Sequence, residues 1–183
     1  MPKTITKKIS ELFKAENGNP KYTKSYCKEH TGDFIVYTGT TIGIFAKVDF
    51  ADYTKPNLTF TTDGEKAGTI EYITDTGYCI GGHRTVLKPI VENIDLLYVK
   101  YMIEPIFRKR ARGRIGINGK NEYTALKPTH IINYNDSILI PVDESGEYDL
   151  ETQKDLARKY ATIETIKNNI YKQVKDLTDI IVE

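Results

Sequence analysis

Apolar residues change period several times along the chain, and each change marks an element. From Thr4 to Ala15, Ile5, Ile9, Leu12 and Phe13 share one helical face before Asn17-Gly18-Asn19-Pro20 stops the run, which predicts a short amphipathic opening helix. From Phe34 onward the period becomes that of strands: Phe34 to Tyr37, Ile42 to Val48, Leu58 to Thr62, Thr69 to Ile73 and Arg84 to Leu87, with Gly or Pro between most of them. These are expected as short strands on a curled sheet. Between Asn93 and Arg110, Leu96, Leu97, Val99, Met102, Ile103, Ile106 and Phe107 recur at helical spacing, and Pro105 is expected to kink that segment or end its regular part. Ile138 to Val142 reads as a closing strand, and Asp143 to Glu147 as a polar connection.

The most regular signal comes last. Leu156, Tyr160, Ile163, Lys167, Ile170, Val174, Leu177 and Ile181 alternate four and three residues apart, and only Lys167 interrupts the apolar seam. Such a seam suits a coiled coil, with the alternative of one amphipathic helix packed on its own domain. Ile166 and Ile180 widen the stripe beyond what a short docking site needs, which favours pairing. A lysine at one inner position lowers stability while selecting register or orientation.

The 183 residues, 39% hydrophobic with 13 Tyr and 6 Phe, suffice for one domain with a real core plus an appendage. No stretch approaches the roughly 18 consecutive apolar residues of a membrane span, and Met1-Pro2-Lys3-Thr4 lacks the apolar block of a signal peptide, so a cytoplasmic protein is expected. The net charge of +1 hides an uneven distribution. Arg108, Lys109, Arg110, Arg112, Arg114 and Lys120 fall in one segment without Asp or Glu. Such a block either binds anions or forms a solvated surface. Gly113, Gly116 and Asn118-Gly119 break it into loop and hairpin, a form that displays its charges along an exposed ribbon.

Two cysteines, Cys27 and Cys79, fit a reducing compartment better than a disulfide scaffold. Cys27-x-x-His30 and Cys79-x-x-x-His83 would supply the ligand count of a tetrahedral zinc site, but each half is loosely spaced and buried structural cysteines explain them as well; no metal is expected. In Thr61-Thr62-Asp63-Gly64-Glu65-Lys66-Ala67-Gly68-Thr69-Ile70 the glycines stand where backbone bends tightly or approaches a partner, and Gly82-His83-Arg84 sets two recognition-competent side chains at the mouth of a strand.

Taken in order, several segments resemble the specificity subunit of type I restriction-modification systems. They are Thr61-Thr62-Asp63-Gly64, Ala67-Gly68-Thr69-Ile70, the His83 to Pro89 strand, the Leu96 to Phe107 helix, the Ile138 to Val142 strand and Glu151-Thr152-Gln153 leading into the long helix. The order matches over nearly the whole chain. The resemblance implies an α+β fold: a curled, β-rich target-recognition domain with short helices over residues 1–148, and a long C-terminal coiled-coil helix over 149–183 that serves for dimerisation and spacing. It further implies a subunit without catalytic residues or cofactor of its own that reads one half of a bipartite double-stranded DNA target. Its partners would be a methyltransferase subunit, a restriction subunit and, because only one recognition domain is present, a second copy paired through the helix. From Lys154 to Ile181 the helix measures roughly 40 Å, close to one turn of duplex.

Side-chain chemistry then assigns candidate contacts. Arg84, Arg112 and Arg114 have the forked donors that match guanine, Asn118 matches adenine, and Lys66, Lys109, Arg110 and Lys120 suit phosphates; His83 joins them at the strand mouth. Each has a plainer role open to it: Arg84 as partner of a carboxylate near its strand, His83 as a hydrogen-bonded core residue, Asn118-Gly119 as a tight hairpin. Two departures from the family's pattern bear on docking of a methyltransferase, since Pro141 stands alone where consecutive prolines are common, and Gln153 follows Thr152 rather than Glu. No Asn-Pro-Pro-Tyr or Asp-Pro-Pro-Tyr element and no Walker-type phosphate cradle is present. Two other functions stay open: a small nuclease using Asp63, Glu65 and Lys66 near His83, and a module that mimics a specificity subunit without reading DNA.

Overall fold

The segment from Thr4 to Asn17 forms two strands joined by one helical turn, not the single helix that its apolar spacing predicts: β1 (Thr4–Lys8), α1 (Ile9–Leu12) and β2 (Phe13–Asn17). The reason is tertiary. Thr4, Ile5 and Thr6 are β-branched, and β1 pairs antiparallel with the strand at Ser137–Pro141, while β2 pairs with the one at Arg84–Pro89. Ile9, Leu12 and Phe13 are buried just as a helix would have buried them, so spacing alone does not separate the two solutions.

In this computed structural model residues 2–40, 43–115, 121–123, 125–133 and 135–181 are described. The chain continues through α2 (Lys24–Glu29), β3 (Phe34–Tyr37), β4 (Ala46–Val48), β5 (Asn57–Thr61), β6 (Ile70–Ile73), β7 (Tyr78–Ile80) and β8 (Arg84–Pro89). There follow α3 (Leu96–Ala111), β9 (Arg112–Ile115), β10 (Asn121–Tyr123), α4 (Pro128–Asn133), β11 (Ser137–Pro141) and α5 (Leu150–Ile181). The fold is α+β, as expected, and the long terminal helix is present. Sequence periodicity misses α2, α4 and β7, all too short to display a period.

Four strands make the central antiparallel sheet in the order β2-β8-β5-β6, and three make a second sheet, β4-β3-β7, in which β3 and β7 run parallel. Strand β5 is buried along its whole length because α3 covers it on one face, with Phe60 and Phe107 meeting edge to face at 5.1 Å. Val99, Ile103, Phe107 and Ala111, spaced by four, form the buried stripe of α3. The helix runs on through Pro105, which the sequence suggested would kink it or end its regular part. Proline's cost of about 3 kcal/mol in a helix interior is outweighed by the burial of that stripe on both sides of it. At the sheet edge, the amide of Ile70 donates to Glu104 Oε1 at 2.9 Å, and burial pushes the Glu104 carboxyl above its ordinary value.

Helix α5 is anchored at its start and free afterwards. Asp149 caps it, accepting from the backbone amide of Thr152 at 2.9 Å and from its hydroxyl at 2.6 Å, bonds that hold the carboxyl below the usual range. Gln153 is completely buried; its side-chain oxygen accepts from the amide of Asp95 at 2.9 Å and its Nε2 donates to the carbonyl of Asn93 at 3.2 Å. It thereby ties the rod to the loop that leads into α3. Gln153→Ala leaves a buried amide without a partner, and a loss of about 2 kcal/mol in a urea titration is the expected outcome. Ala157 is buried and Leu156 half-buried against the head, and Tyr160 packs on Tyr101 with ring centroids 5.6 Å apart. So the first two members of the heptad seam rest on the protein's own head, Leu156 against its core and Tyr160 against Tyr101. From Ile163 the apolar face lies open: Ile163, Ile166, Ile170, Tyr171, Val174 and Leu177 are all more than half exposed. The side chain of Ile181 lies outside the described residues.

Candidate functional site

Three segments that are distant in sequence converge at one end of the head: the turn between β5 and β6, the turn between β7 and β8, and the C-terminus of α3. Backbone pairing does the joining. The amide of Thr62 donates to the carbonyl of His83 at 3.0 Å, and the amide of Leu126 donates to the carbonyl of Thr62 at 2.7 Å. Gly68 takes a positive φ of 78°, and a Cβ there would lie 2.6 Å from the backbone of Phe107, so only glycine lets the turn press against α3. Arg108 closes the contact by donating to the carbonyls of Glu65 at 3.0 Å and Ala67 at 2.7 Å. The first cation of the basic run is therefore part of the scaffold that holds the turn.

The rest of that run sorts itself by position. Lys109 is exposed beside a shallow depression lined by Ile106, Arg110 and Asp136. Arg110 makes a two-pronged pair with Asp136, Nε at 3.1 Å and Nη2 at 2.7 Å, a carboxylate that arrives from outside the basic segment. Arg108, Lys109 and Arg110 occupy the last turn of α3, where their charge complements the helix's free carbonyls. Arg112 and Arg114 lie on β9, which pairs antiparallel with β10, so the basic segment does enter a hairpin. The side chains of Arg112 and Arg114, and all of Asn118 and Lys120, lie outside the described residues. Lys66 is exposed on the β5–β6 turn.

Arg84 requires a correction. It was expected to present its fork to a guanine, but it is only 4% exposed. Its Nε donates to the carbonyl of Thr38 at 2.7 Å, and its Nη1 donates to Thr59 Oγ1 at 2.9 Å and to Glu71. A strand that begins beneath two sheets turns its first side chain inward, and the partner carboxylate sits across the sheet on β6. Arg84 therefore ties the end of β3 to the central sheet and shapes the site without reaching solvent.

His83, its neighbour, points the other way. Its side chain is 72% exposed, its Nδ1 lies 2.8 Å from Asp63 Oδ2, and Thr62 Oγ1 donates to the same oxygen at 2.9 Å. It stands at the edge of a cleft of about 600 Å³ that Tyr22, Thr38, Gly39, Phe45 and Glu65 help to line. Asp63 as the partner of His83 is not readable from the sequence, because 20 residues separate them and only the pairing of β5 with β8 brings them together. Cys27-x-x-His30 and Cys79-x-x-x-His83 do not assemble four ligands: Cys27 and Cys79 are both buried in the apolar cluster around Val36 and Val48, while His30 lies near Asp49 and His83 pairs with Asp63. Burial pushes both thiols up. Among the described residues no group of three or more His, Cys, Asp or Glu side chains is placed to hold a metal ion, and no helix is long and apolar enough to cross a membrane.

No protein-family model matches the sequence, and no curated protein matches it. Solved structures do. The S subunit of the type I restriction-modification system from M. genitalium superposes with a TM-score of 0.63 at 16% identity, over 97% of this chain and 43% of that one. A chain solved to explain complex assembly and conformational transition of the type I R-M system gives 0.63 at 13% identity, over 93% and 40%. The HsdS subunit from Thermoanaerobacter tengcongensis gives 0.56 at 13%, over 88% and 37%. The chain spans about two-fifths of the length of each of these structures. At such identities the likeness is one of fold, and nearly the whole of this chain folds as one part of a type I restriction-modification S subunit does.

Proposed function

We propose that this chain is a non-catalytic, sequence-specific DNA-recognition subunit of a type I-like restriction-modification system, acting in the cytoplasm. The observation that carries this reading is the agreement of fold with S subunits over 97% of the chain, head and helix together. In this reading residues 1–148 are the target-recognition domain, and 149–183 the pairing and spacing helix. The basic end of α3 and the β9–β10 hairpin, with Lys66 on the adjacent turn, form the face that meets duplex. Lys66, Lys109 and Lys120 neutralise phosphates, with Arg110 sharing its charge with Asp136; Arg112, Arg114 and Asn118 reach base edges. One head reads one half-site, and a second copy joined through α5 reads the other, which makes the target an inverted repeat. The complete assembly then places a methyltransferase subunit, and a restriction subunit with it, on the site.

The salt dependence of binding tests the electrostatic core of this proposal. If about four to six cations meet phosphates, a plot of log affinity against log salt has a slope of roughly −4 to −5. A flat response measured by fluorescence anisotropy with a labelled duplex would remove DNA as the ligand. Neither the mimic nor the nuclease reading gains support from an S-subunit fold, and a binding assay with magnesium present tells the nuclease apart directly, since a recognition subunit leaves the duplex uncut.

A further inference from the structure

His83 has three features that a structural histidine does not need. It is largely exposed, its ring is held by a carboxylate, and its backbone takes a φ of 65°, the left-handed region that few residues besides Gly enter, with Asn, Asp and His the commonest of them. Asn93 and Asn135, the other non-glycine residues with positive φ among those described, are of the type that tolerates it best. The neighbouring chain has been cut away to make room, because a Cβ on Gly39 would lie 2.7 Å from the Cβ of His83. Strain that persists at an exposed residue on the rim of a cleft points to function, because stability alone would select glycine there.

The chemistry of the ring narrows that function. Asp63 Oδ2 already accepts from Thr62 Oγ1, and a carboxylate oxygen only accepts, so the ring proton facing it sits on Nδ1. In the neutral imidazole this leaves Nε2 as a bare acceptor turned to solvent. A phosphate offers no proton to such a nitrogen. It would also meet Asp63 and Glu65, the two carboxylates of a cleft in which no Lys or Arg lies among the described lining residues. An amino group suits the site instead. In the major groove the exocyclic amines of adenine and cytosine are the only such donors.

We propose that His83 is a specificity-determining residue: fixed by Asp63 in one tautomer, it accepts a hydrogen bond through Nε2 from the amino group of an adenine or cytosine in the duplex. The inference rests on the DNA-recognition reading above and adds to it the polarity of one contact. Asp63 is the positioning residue, Gly39 the space that admits the ring, and Arg84, by holding Thr38 beside the sheet, the anchor of the cleft's far wall.

Selection from a randomised duplex library by the full-length protein and its H83G and D63A variants tests this. The wild type is expected to enrich an amino-bearing base at one position. H83G is expected to lose that preference, roughly tenfold in affinity for the selected sequence, with the salt slope unchanged. It should also melt at the same temperature as the wild type or higher, because glycine relieves the left-handed strain; a histidine kept for structure would show the reverse. D63A frees the tautomer, so guanine and thymine become acceptable at the same position. A selective wild type whose H83G variant enriches the same sequence with the same stringency overturns the inference alone, as does an H83G that weakens all sequences equally and lowers the salt slope by about one. A D63A variant as strict as the wild type overturns the role of Asp63. A wild type that binds duplex with no preference, or not at all, overturns the recognition function itself and this contact with it.

Discussion

Arg84→Ala is expected to cost about 2–3 kcal/mol in a urea or thermal titration, a large part of the roughly 5–15 kcal/mol that holds a domain together. The guanidinium is buried and bonded to the carbonyl of Thr38, to Thr59 Oγ1 and to Glu71. Removing it leaves the hydroxyl of fully buried Thr59 with only its long bond of 3.5 Å to the carbonyl of Glu71, and takes the ion-pair partner from the half-covered Glu71 carboxylate. It also cuts the tie between β3 and the central sheet. Replacing both members of the pair, in an R84M/E71L protein, restores part of the loss, because Met refills the space of the buried guanidinium and the half-exposed Glu71 charge no longer lacks its partner. The slope of log affinity against log salt should be the same in either protein as in the wild type, because a buried guanidinium neutralises no phosphate. A folded R84A whose salt slope falls by about one would instead return Arg84 to the duplex face.

The largest effect on assembly is expected from Ile163, Ile170 and Leu177 replaced together by glutamine. All three are more than half exposed on α5 and lie beyond the turns that dock on the head, so the fold is expected to survive with an unchanged melting temperature. Each side chain still has about 1 kcal/mol of apolar surface to bury; six of them across two paired helices amount to on the order of 6 kcal/mol, or about four decades in dimer dissociation constant. Light scattering should show a dimer in the wild type and a monomer in the variant across micromolar concentrations. A wild-type chain that is monomeric throughout this range removes self-pairing through α5.

Long periodic signals were legible in the sequence and short or paired ones were not. Helices α3 and α5 repeat their apolar positions over many turns, and the strands β3, β5, β6 and β8 were all expected near where they lie. The opening helix failed because Ile5, Ile9, Leu12 and Phe13 satisfy a helical face and a strand-turn-strand equally, and the choice belongs to β11, some 130 residues away. At the site, the clustering of cations could be read directly, but their partners could not. Asp136 for Arg110, Glu71 for Arg84 and Asp63 for His83 are each supplied by another element, and nothing in local spacing names them. Arg84 opens β8 while His83 still belongs to the turn before it, with a left-handed backbone, so the two side chains part ways at that point. Which one went inward followed from the register of β8 on β5.

The attachment of α5 to the head ends at Glu164, which accepts from Tyr101 Oη at 2.9 Å and has Lys100 Nζ at 3.9 Å. Beyond it the helix extends for about 26 Å as far as Ile181, with Ile166, Ile170, Val174 and Leu177 exposed along it. Over that lever arm an angular play of about 10° at the fulcrum carries the tip roughly 4–5 Å, more than one base-pair step of about 3.4 Å. Two heads sharing a duplex would then lose phase with each other. If two copies do pair through α5 as proposed, Tyr101 and Glu164 would set the tolerance with which the gap between half-sites is counted.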